Sequence, residues 1–323
     1  MTYRNPTTGI ALNRLRSLRL SLVVLLFALA TLVIAWAVVS LELRHKRAAA
    51  IDAEIRQNTN LARVLQEQTL RVLASIDQAT LRMRDSIAAG EFTSEMSVRF
   101  ASETGLVPDI LTQLAFVGPD GRFVGSNLDP RGVKTGHVDL SEREHIRAHL
   151  KVESIEGAVS QFSSTGLFVG KPVLGKVSGK WTIQLSRRID GPDGKVLGVI
   201  VASLNPGYLE EVYGRVTLGA NGVVTLLGDD RSLRARVLDG QPRGMGMQLP
   251  DAYQSPARAG AREGHELRTS SIDGIERIVA YHRVGDYPLL LLVGSTTDKA
   301  LSEWRDSRRV TLILTGLFSV AML

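Results

Sequence analysis

The stretch that decides the fold reads DLSEREHIRAHL at residues 139–150 and GLFVGKPVLGKVSGKWTIQLSRRIDGPDGKVLGVIVASLN at residues 166–205. Ser141 and Glu144 have the S-x-x-E spacing of a capping box, which predicts a short helix that begins at the serine. Three strands are predicted after it, and the last two are joined by the turn sequence Gly-Pro-Asp-Gly. A short helix followed by strands with tight turns is typical of half of a small antiparallel α+β domain.

The predicted strands cover residues 166–171, 181–187 and 196–204. The middle strand alternates apolar and polar residues, so the two kinds are predicted to face opposite sides of the sheet. Trp181, Ile183 and Leu185 would share the apolar face.

Composition limits the class of protein. The chain has 323 residues, a formal net charge of +6 and no cysteine. This length allows roughly one to three domains, and the lack of cysteine excludes disulfides and thiolate metal sites. The positive charge comes from scattered arginines rather than from a lysine-rich block, so it indicates ordinary surface and membrane flanks and no nucleic-acid partner.

An apolar segment near the N-terminus is predicted to cross a membrane. Residues 1–19 are polar and predicted to be cytoplasmic, and residues 20–41 are long enough to span a core of roughly 30 Å as a helix. A signal peptide is the alternative, but its apolar region is usually about 7–15 residues long, and no A-x-A cleavage site follows here. Four arginines before the segment against three basic residues after it favour a cytoplasmic N-terminus.

A long helix is predicted over residues 45–89, because no proline or glycine interrupts residues 48–89, and Gly90 is predicted to end it. Its seam repeats at steps of three and four. The seam could pack only on its own domain or could also pair two subunits. We predict both, and hence a homodimer with a modest interface, since several seam residues are small or polar. The seam residues are Ile51, Ile55, Asn58, Ala62, Leu65, Thr69, Val72, Ile76, Ala79 and Met83.

Two globular units are predicted after this helix, over residues 90–214 and 215–296. The first unit adds strands at 111–117 and 122–126, joined by a second Gly-Pro-Asp-Gly turn, and ends with a helix at 207–213. The second has strands at 223–227, 233–237, 265–271, 276–283 and 289–295, with a loop that contains a helical turn over residues 239–261. Residues 297–323 are predicted to be an exit helix and a second membrane span that is cut short, because the apolar run 310–323 is too short to span.

Four segments carry a resemblance to a known family. They are DLSEREHIRAH, LFVGKPVLGKVSGKWTIQLSRRI, GKVLGVIVASLNPGYLEEVY and TLGANGVVTLLGDD, in this order between the two predicted spans. Over residues 45–305 the chain resembles the double Cache (dCache) periplasmic sensor regions of bacterial membrane-bound diguanylate cyclases, which are related to those of histidine kinases and chemoreceptors.

The resemblance implies an α+β fold, in which a long N-terminal helix is followed by two tandem PAS-like antiparallel-sheet domains, flanked by transmembrane helices. Residues 90–214 would be the membrane-distal domain, which binds a small molecule, and residues 215–296 the membrane-proximal domain. The implied location is the bacterial inner membrane, with residues 45–305 in the periplasm.

The implied function is small-molecule sensing for signal transduction. A cytoplasmic diguanylate cyclase (GGDEF) output is expected, and the alternatives are a histidine kinase or chemoreceptor output, or a ligand-free periplasmic interaction module. The chain itself contains no GGDEF string and no kinase-type nucleotide motif. Any enzymatic activity is therefore expected outside these residues.

Arg143 is the first candidate for a ligand contact, because a guanidinium matches a carboxylate or phosphate with two parallel hydrogen bonds. In sensors of the resembled type, an arginine early in the equivalent helix often has this role. His145 and His149 share one face of the same helix at i,i+4 spacing, and His149 is included as a pocket candidate. Lys171 ends a predicted strand and could reach the same pocket mouth.

Three further candidates lie on the strands. Trp181 is on the apolar face of its strand and is expected in the core or in a pocket wall. Arg187 falls on that face by parity, and a charge there is costly unless it is paired, so we place it at the pocket rim. Asn205 stands where amine-binding members of the resembled family tend to carry an aspartate. Its neutrality and the cationic candidates favour a small anionic ligand.

Other chemistries lack their motifs. The histidine pair lacks the glutamate of an H-E-x-x-H site and a third ligand, so no metal is predicted. Residues 244–246 read Gly-Met-Gly without the preceding strand and the third glycine of a dinucleotide site, and no G-x-S-x-G elbow is present. We predict no catalytic residue and no cofactor in this chain.

Overall fold

The computed structural model describes residues 7–91, 96–150, 161–250, 252–253 and 260–322. The chain divides into two compact units, one of Met1–Ala53 with Asp298–Leu323 and one of Glu54–Thr297. Both sheets of the described chain lie in the second unit.

The helices are α1 (Thr7–Ala88), α2 (Met96–Glu103), α3 (Glu144–Leu150), α4 (Pro206–Gly214), α5 (Thr297–Ala300) and α6 (Ser302–Met322). The strands are β1 (Leu111–Val117), β2 (Phe123–Ser126), β3 (Phe168–Leu174), β4 (Trp181–Asp190), β5 (Val196–Leu204), β6 (Val223–Gly228), β7 (Leu233–Leu238), β8 (Gln241–Pro242), β9 (Glu263–Thr269), β10 (Glu276–Arg283) and β11 (Leu289–Thr296). Helix α1 ends two residues before Gly90, as predicted, whereas α2 was not predicted.

The first sheet has five antiparallel strands in the order β2-β1-β5-β4-β3. The bounds of β1 and β5 equal the predicted ranges, and β4 and β5 are joined by the Gly-Pro-Asp-Gly turn at residues 191–194. In the centre of the sheet, Leu114 of β1 lies opposite Ala202 of β5. The predicted α+β class, with a long leading helix and antiparallel sheets, is confirmed.

The second sheet has six antiparallel strands in the order β8-β7-β6-β11-β10-β9. Five were predicted near their observed positions, but the prediction of residues 239–261 as a loop is wrong where it contains β8. Residues 251 and 254–259 of this predicted loop lie outside the described residues. Asp239 and Gly240 have φ values of 53° and 72°, and this turn folds β8 back onto β7. An Asp-Gly pair is a strong hairpin signal that the prediction overlooked.

One stripe of α1 packs inside its own unit. Every third or fourth residue of this stripe is buried in a single core with apolar residues from both sheets, which makes α1 the common wall of the two sheets. The seam residues in this core are Ala62, Leu65, Ile76, Ala79 and Met83.

The polar seam residues Asn58 and Thr69 are also buried within the unit. The Asn58 amide Nδ2 donates to the carbonyl of Ile278 at 2.9 Å and to the hydroxyl of Ser295 at 2.8 Å. The Thr69 hydroxyl is hydrogen-bonded to the Tyr213 hydroxyl at 2.8 Å. The interpretation of these two residues as part of a subunit interface is therefore wrong, because their polar groups anchor α1 to its own sheets.

A buried arginine joins the two sheets directly. The Arg234 guanidinium of β7 pairs with Asp230 at 3.0 and 3.1 Å, and its Nη2 also donates to the carbonyl of Val169 in β3 at 3.2 Å. The Arg234 side chain is only 1% exposed. A strand of the first sheet is thus held by a charged side chain of the second.

The capping box predicted at Ser141 does not form. Helix α3 begins at Glu144, and the Ser141 amide instead donates to the Asp139 carboxylate at 2.8 Å. Asp139 therefore takes the amide that Glu144 would accept from in a capping box, and it makes a turn ahead of the helix. The sequence pattern contains both acceptors and does not show which of them binds the amide.

Gly198 of β5 lies where no side chain fits. Its φ is 149°, and a Cβ atom would lie 2.2 Å from the carbonyl oxygen of Val117 in the neighbouring strand. We expect Gly198→Ala to lower the free energy of unfolding by about 2–3 kcal/mol, as measured by hydrogen exchange of the first-sheet amides. The control Gly194→Ala also has a positive φ, 75°, but open space around it, and is expected to cost about 1 kcal/mol. Equal losses would contradict the clash with β1.

The other unit contains the predicted membrane segment. One described helix, α1, is long and apolar enough from Leu22 onward to cross a membrane. Within this unit, Trp36 Nε1 donates to Ser319 Oγ at 3.1 Å, and Trp304 Nε1 donates to the Leu43 carbonyl at 2.9 Å, so α1 and α6 are hydrogen-bonded at two levels. The second span predicted within α6 stays a prediction.

Candidate functional site

The first sheet carries a cavity on one of its faces. Side chains alternate along β4, so that Ile183 and Leu185 enter the core shared with α1, while Gln184 between them lines the cavity. The same alternation holds in β1 and β5, which places the cavity on the face opposite α1. Residues around the start of α3 and the end of β3 form the other walls.

Three buried polar side chains form the floor of this cavity. They are Gln113 of β1, Ser203 of β5 and Gln184 of β4, which lie side by side on adjacent strands. The Ser203 hydroxyl donates to Gln184 Oε1 at 2.9 Å, and Gln184 Nε2 donates to the Thr182 hydroxyl at 2.7 Å. Within the described part of the chain the Gln113 amide has no hydrogen-bond partner, although the residue is only 5% exposed. It is thus available to a ligand.

Two cations flank the cavity mouth. Arg143 Nη2 donates to the carbonyl of Leu174 at 3.3 Å, and Lys176 Nζ donates to the carbonyl of Asp139 at 2.9 Å. Among the described lining residues there is no aspartate or glutamate, so the mouth favours anions. The centre of a water molecule can occupy about 40 Å³ of the cavity, which is enough for a few waters. A larger ligand needs the exposed Lys176 and the Arg143 side chain to move outward.

The two histidines of α3 are neutral. Burial lowers the pKa of His145 to about 3 and that of His149 to about 4. His145 lines the cavity, whereas His149 lies behind it and is hydrogen-bonded through Nε2 to the Ser186 hydroxyl at 3.0 Å. That hydroxyl donates to the His145 carbonyl at 2.8 Å, so Ser186 fixes the helix to β4.

Arg187 was predicted at the pocket rim, and this location is wrong. Its guanidinium is buried on the α1 side, where it forms an ion pair with Asp77 and donates to the carbonyl of Thr165 and, at 3.3 Å, to the Thr80 hydroxyl. The parity of the strand was predicted correctly. The apolar face, however, packs against α1, and the polar face of β4 is the one that meets the cavity.

Three other predicted residues also lie away from the cavity. Lys171 Nζ is 4.0 Å from Asp230 Oδ2, in the turn between β6 and β7. Trp181 is 53% exposed at the start of β4, so it is neither core nor pocket wall. Asn205 caps α4, because its Oδ1 accepts from the Gly207 amide at 3.1 Å. Of the predicted ligand contacts, Arg143 alone lines the cavity and His149 stands directly behind it.

The sequence reasoning missed Gln113, Gln184, Ser203 and Lys176. The signal for Gln184 was present, since it lies on the polar face of an alternating strand, and buried polar residues of a sheet are candidates for ligand contact. Ser203 lies near the end of β5, two residues before Asn205, and it is the residue that meets the cavity. For metals, the described residues contain no group of three or more histidine, aspartate or glutamate side chains that could hold an ion.

A long N-terminal helix that carries two antiparallel sheets is the architecture of Cache-like extracellular sensor domains. The chain is similar to the extracellular domain of rpHK1S-Z16, a protein assigned as a histidine kinase. The two share 25% identity over 77% of this chain and 97% of that one, with a TM-score of 0.62.

Two further solved structures share the fold. The ligand-binding domain of the Pseudomonas fluorescens chemoreceptor CtaA, in complex with L-isoleucine, is 16% identical over 80% of this chain and 98% of that one, with a TM-score of 0.54. An extracellular ligand binding receptor from Desulfohalobium retbaense is 12% identical over 74% of this chain and 40% of that one, with a TM-score of 0.53. No protein-family model matches the sequence, and no curated protein matches it.

Proposed function

We propose that residues 45–305 are the extracytoplasmic small-molecule sensor of a receptor in the bacterial inner membrane, and that the ligand binds in the cavity of the first sheet. The observation that carries the proposal is the buried polar floor of Gln113, Ser203 and Gln184 beneath Arg143 and Lys176. Ser203 and Gln184 are paired with each other, whereas the Gln113 amide has no partner within the described residues. A polar group of this kind costs stability unless water or a ligand meets it. The fold shared with sensor domains of membrane receptors supports the same reading.

The ligand class follows from the charges of the cavity. The CtaA domain holds L-isoleucine, which carries both an ammonium and a carboxylate group. In this chain the described lining offers two cations for a carboxylate but no carboxylate for an ammonium group. Neutral His145 adds no charge at pH 7. The proposed ligand is therefore a small anion without an ammonium group, such as a short carboxylate.

Arg143 provides the test. We expect Arg143→Ala to weaken binding by about 10–100-fold, because a charge-assisted hydrogen bond is lost. Thermal shifts of the full chain in detergent, measured with a panel of short mono- and dicarboxylates and the matching amino acids, give the apparent affinities. The control is Arg99→Ala, which removes an arginine of an exposed i,i+4 pair with Glu103 and is expected to leave every shift unchanged. Carboxylates that stabilise Arg143→Ala as strongly as the unsubstituted protein would contradict the site, and a panel without any hit would favour a ligand-free interaction module.

The output of the receptor belongs to the same proposal. A diguanylate cyclase with a GGDEF module is one candidate, and a histidine kinase or chemoreceptor is supported at least as well by the similar domains. The test is the sequence of the full-length receptor. A GGDEF string, a kinase-type nucleotide motif or a chemoreceptor signalling segment in it would identify the output. A homodimer remains part of the proposal, but its interface would need a face of α1 other than the buried seam, such as the one that exposes Val64.

A further inference from the structure

The second sheet has a cavity of its own. About 80 Å³ of it can be occupied by the centre of a water molecule, twice the corresponding space in the first sheet. Most of its wall is apolar and belongs to a core cluster separate from the one around α1. The apolar residues of this wall include Leu227, Leu233, Leu249, Val279 and Leu292.

One end of this cavity carries an unbalanced positive charge. The Arg277 guanidinium forms two parallel bonds with the Asp273 carboxylate at 2.8 and 3.0 Å, and Arg236 Nη2 shares the same carboxylate at 2.9 Å. Burial raises the pKa of Asp273, but hydrogen bonds from Arg277 and Ser270 outweigh this and hold it below its usual range, so the group is a carboxylate. Two guanidinium groups that are 4% and 1% exposed as residues therefore share one negative charge.

The spare hydrogen-bond donors belong to Arg236. Arg277 uses all of its nitrogen atoms, because its Nε donates to the carbonyl of Asn221 at 2.7 Å. By contrast, no acceptor within the described ranges meets Nε or Nη1 of Arg236, whose side chain lines the cavity. Because Arg236 lines the cavity, these two donors face space that water or a ligand can enter. An anion there would form charge-assisted hydrogen bonds with them and would balance the surplus charge.

The other residues of the cavity wall limit the charge and the polarity of the anion. Arg268, the third arginine at the cavity, has its own partners: it pairs with Glu266 at 2.9 Å and lies 4.2 Å from the centre of the Tyr253 ring. One positive charge therefore remains for a ligand, and the apolar part of the cavity lies beside it. We infer that the second sheet binds small monocarboxylates with an apolar body, as a ligand site separate from the cavity of the first sheet.

The test uses the full chain in lipid nanodiscs and three probes: butanoate, 3-methylbutanoate and hexanoate, each with its neutral amide as the matched control. We expect the acids to slow amide hydrogen exchange in β7 and β10, and the amides to leave it unchanged. Arg236→Met, which keeps the length of the side chain without the charge, is expected to weaken acid binding by about tenfold or more. Arg143→Ala, in the other cavity, is expected to leave this protection unchanged.

Three results would overturn the inference: no protection of β7 and β10 by any of the acids, equal protection by the amides, or unchanged affinity in Arg236→Met. If Arg236→Met does not fold, the comparison of acid with amide on the unsubstituted protein decides the question. The two proposals fail in different ways. If the second cavity binds no acid, β7 and β10 are not protected; if the first cavity binds no ligand, Arg143→Ala leaves the thermal shifts unchanged.

Discussion

Asp77→Ala is expected to lower the free energy of unfolding by about 3–5 kcal/mol, because it leaves the buried guanidinium of Arg187 without its carboxylate. The two side chains are 4% and 5% exposed, so solvent cannot replace the lost partner. Thr165 would also lose an acceptor, since its hydroxyl donates to Asp77 Oδ2 at 2.8 Å. The measurement is the hydrogen exchange of the slowest amides of β4 and β5 in the full chain, which reports the free energy of opening.

Two further variants separate the loss of the ion pair from the general effect of replacing an aspartate of α1. Asp85→Ala, also on α1, removes an aspartate that is 66% exposed and pairs with Arg84, so it is expected to cost less than about 1 kcal/mol. The double variant Asp77→Leu with Arg187→Met is expected to recover most of the loss, because apolar residues of similar size replace buried pairs at little cost. A loss in Asp77→Ala no larger than that in Asp85→Ala would show that the pair is not buried as described.

Acid is expected to weaken the first sheet before most carboxylates titrate. His145 and His149 are held neutral, with pKa values lowered by burial to about 3 and about 4, whereas the unfolded chain binds their protons near about pH 6.5. The unfolded state thus binds more protons between these values, so stability is fully present above about pH 6.5 and falls as the pH falls. Between about pH 7.5 and about pH 5 each histidine is expected to cost about 2 kcal/mol, and the two together about 4 kcal/mol.

The check compares hydrogen exchange of β4 and β5, corrected for the intrinsic rates, at both pH values. A variant with His145→Gln and His149→Gln is expected to lose most of this pH dependence, whatever its stability at neutral pH. His265→Gln, in which the replaced imidazole is exposed, serves as the control and should keep the full dependence. His282 adds a smaller loss of the same sign, because its pKa is also lowered, mainly by burial. A flat profile for the unsubstituted protein would mean that the two α3 histidines are hydrated.

The strands were predictable because their signals are local. Apolar runs bounded by Gly-Pro-Asp-Gly fix β5 and its hairpin, and the steps of three and four fix the buried stripe of α1. Two short elements were predicted incompletely, for different reasons. At α3, Asp139 takes the Ser141 amide that a capping box would use, so the helix begins later than predicted. The two-residue strand β8 follows an Asp-Gly turn that the prediction overlooked.

The site was harder to predict, because it depends on which face of the sheet meets α1. Alternation separates Arg187 from Gln184 but does not say which of the two faces is covered by a helix that is distant in sequence. The apolar face was taken as the pocket, so Trp181 and Arg187 were chosen and Gln184 was left out. Arg143 lines the cavity just before α3, in the segment that the resemblance, and not the spacing, indicated, and its role as a ligand contact stays a prediction.

The bond from Arg234 to the Val169 carbonyl makes β3 a mechanical link between the sheets. The far end of this strand, at Val173 and Leu174, borders the first cavity, so a displacement of the strand would strain its bond to Arg234, which is itself held by Asp230. Rigid elements of this kind pass a displacement along their length instead of absorbing it.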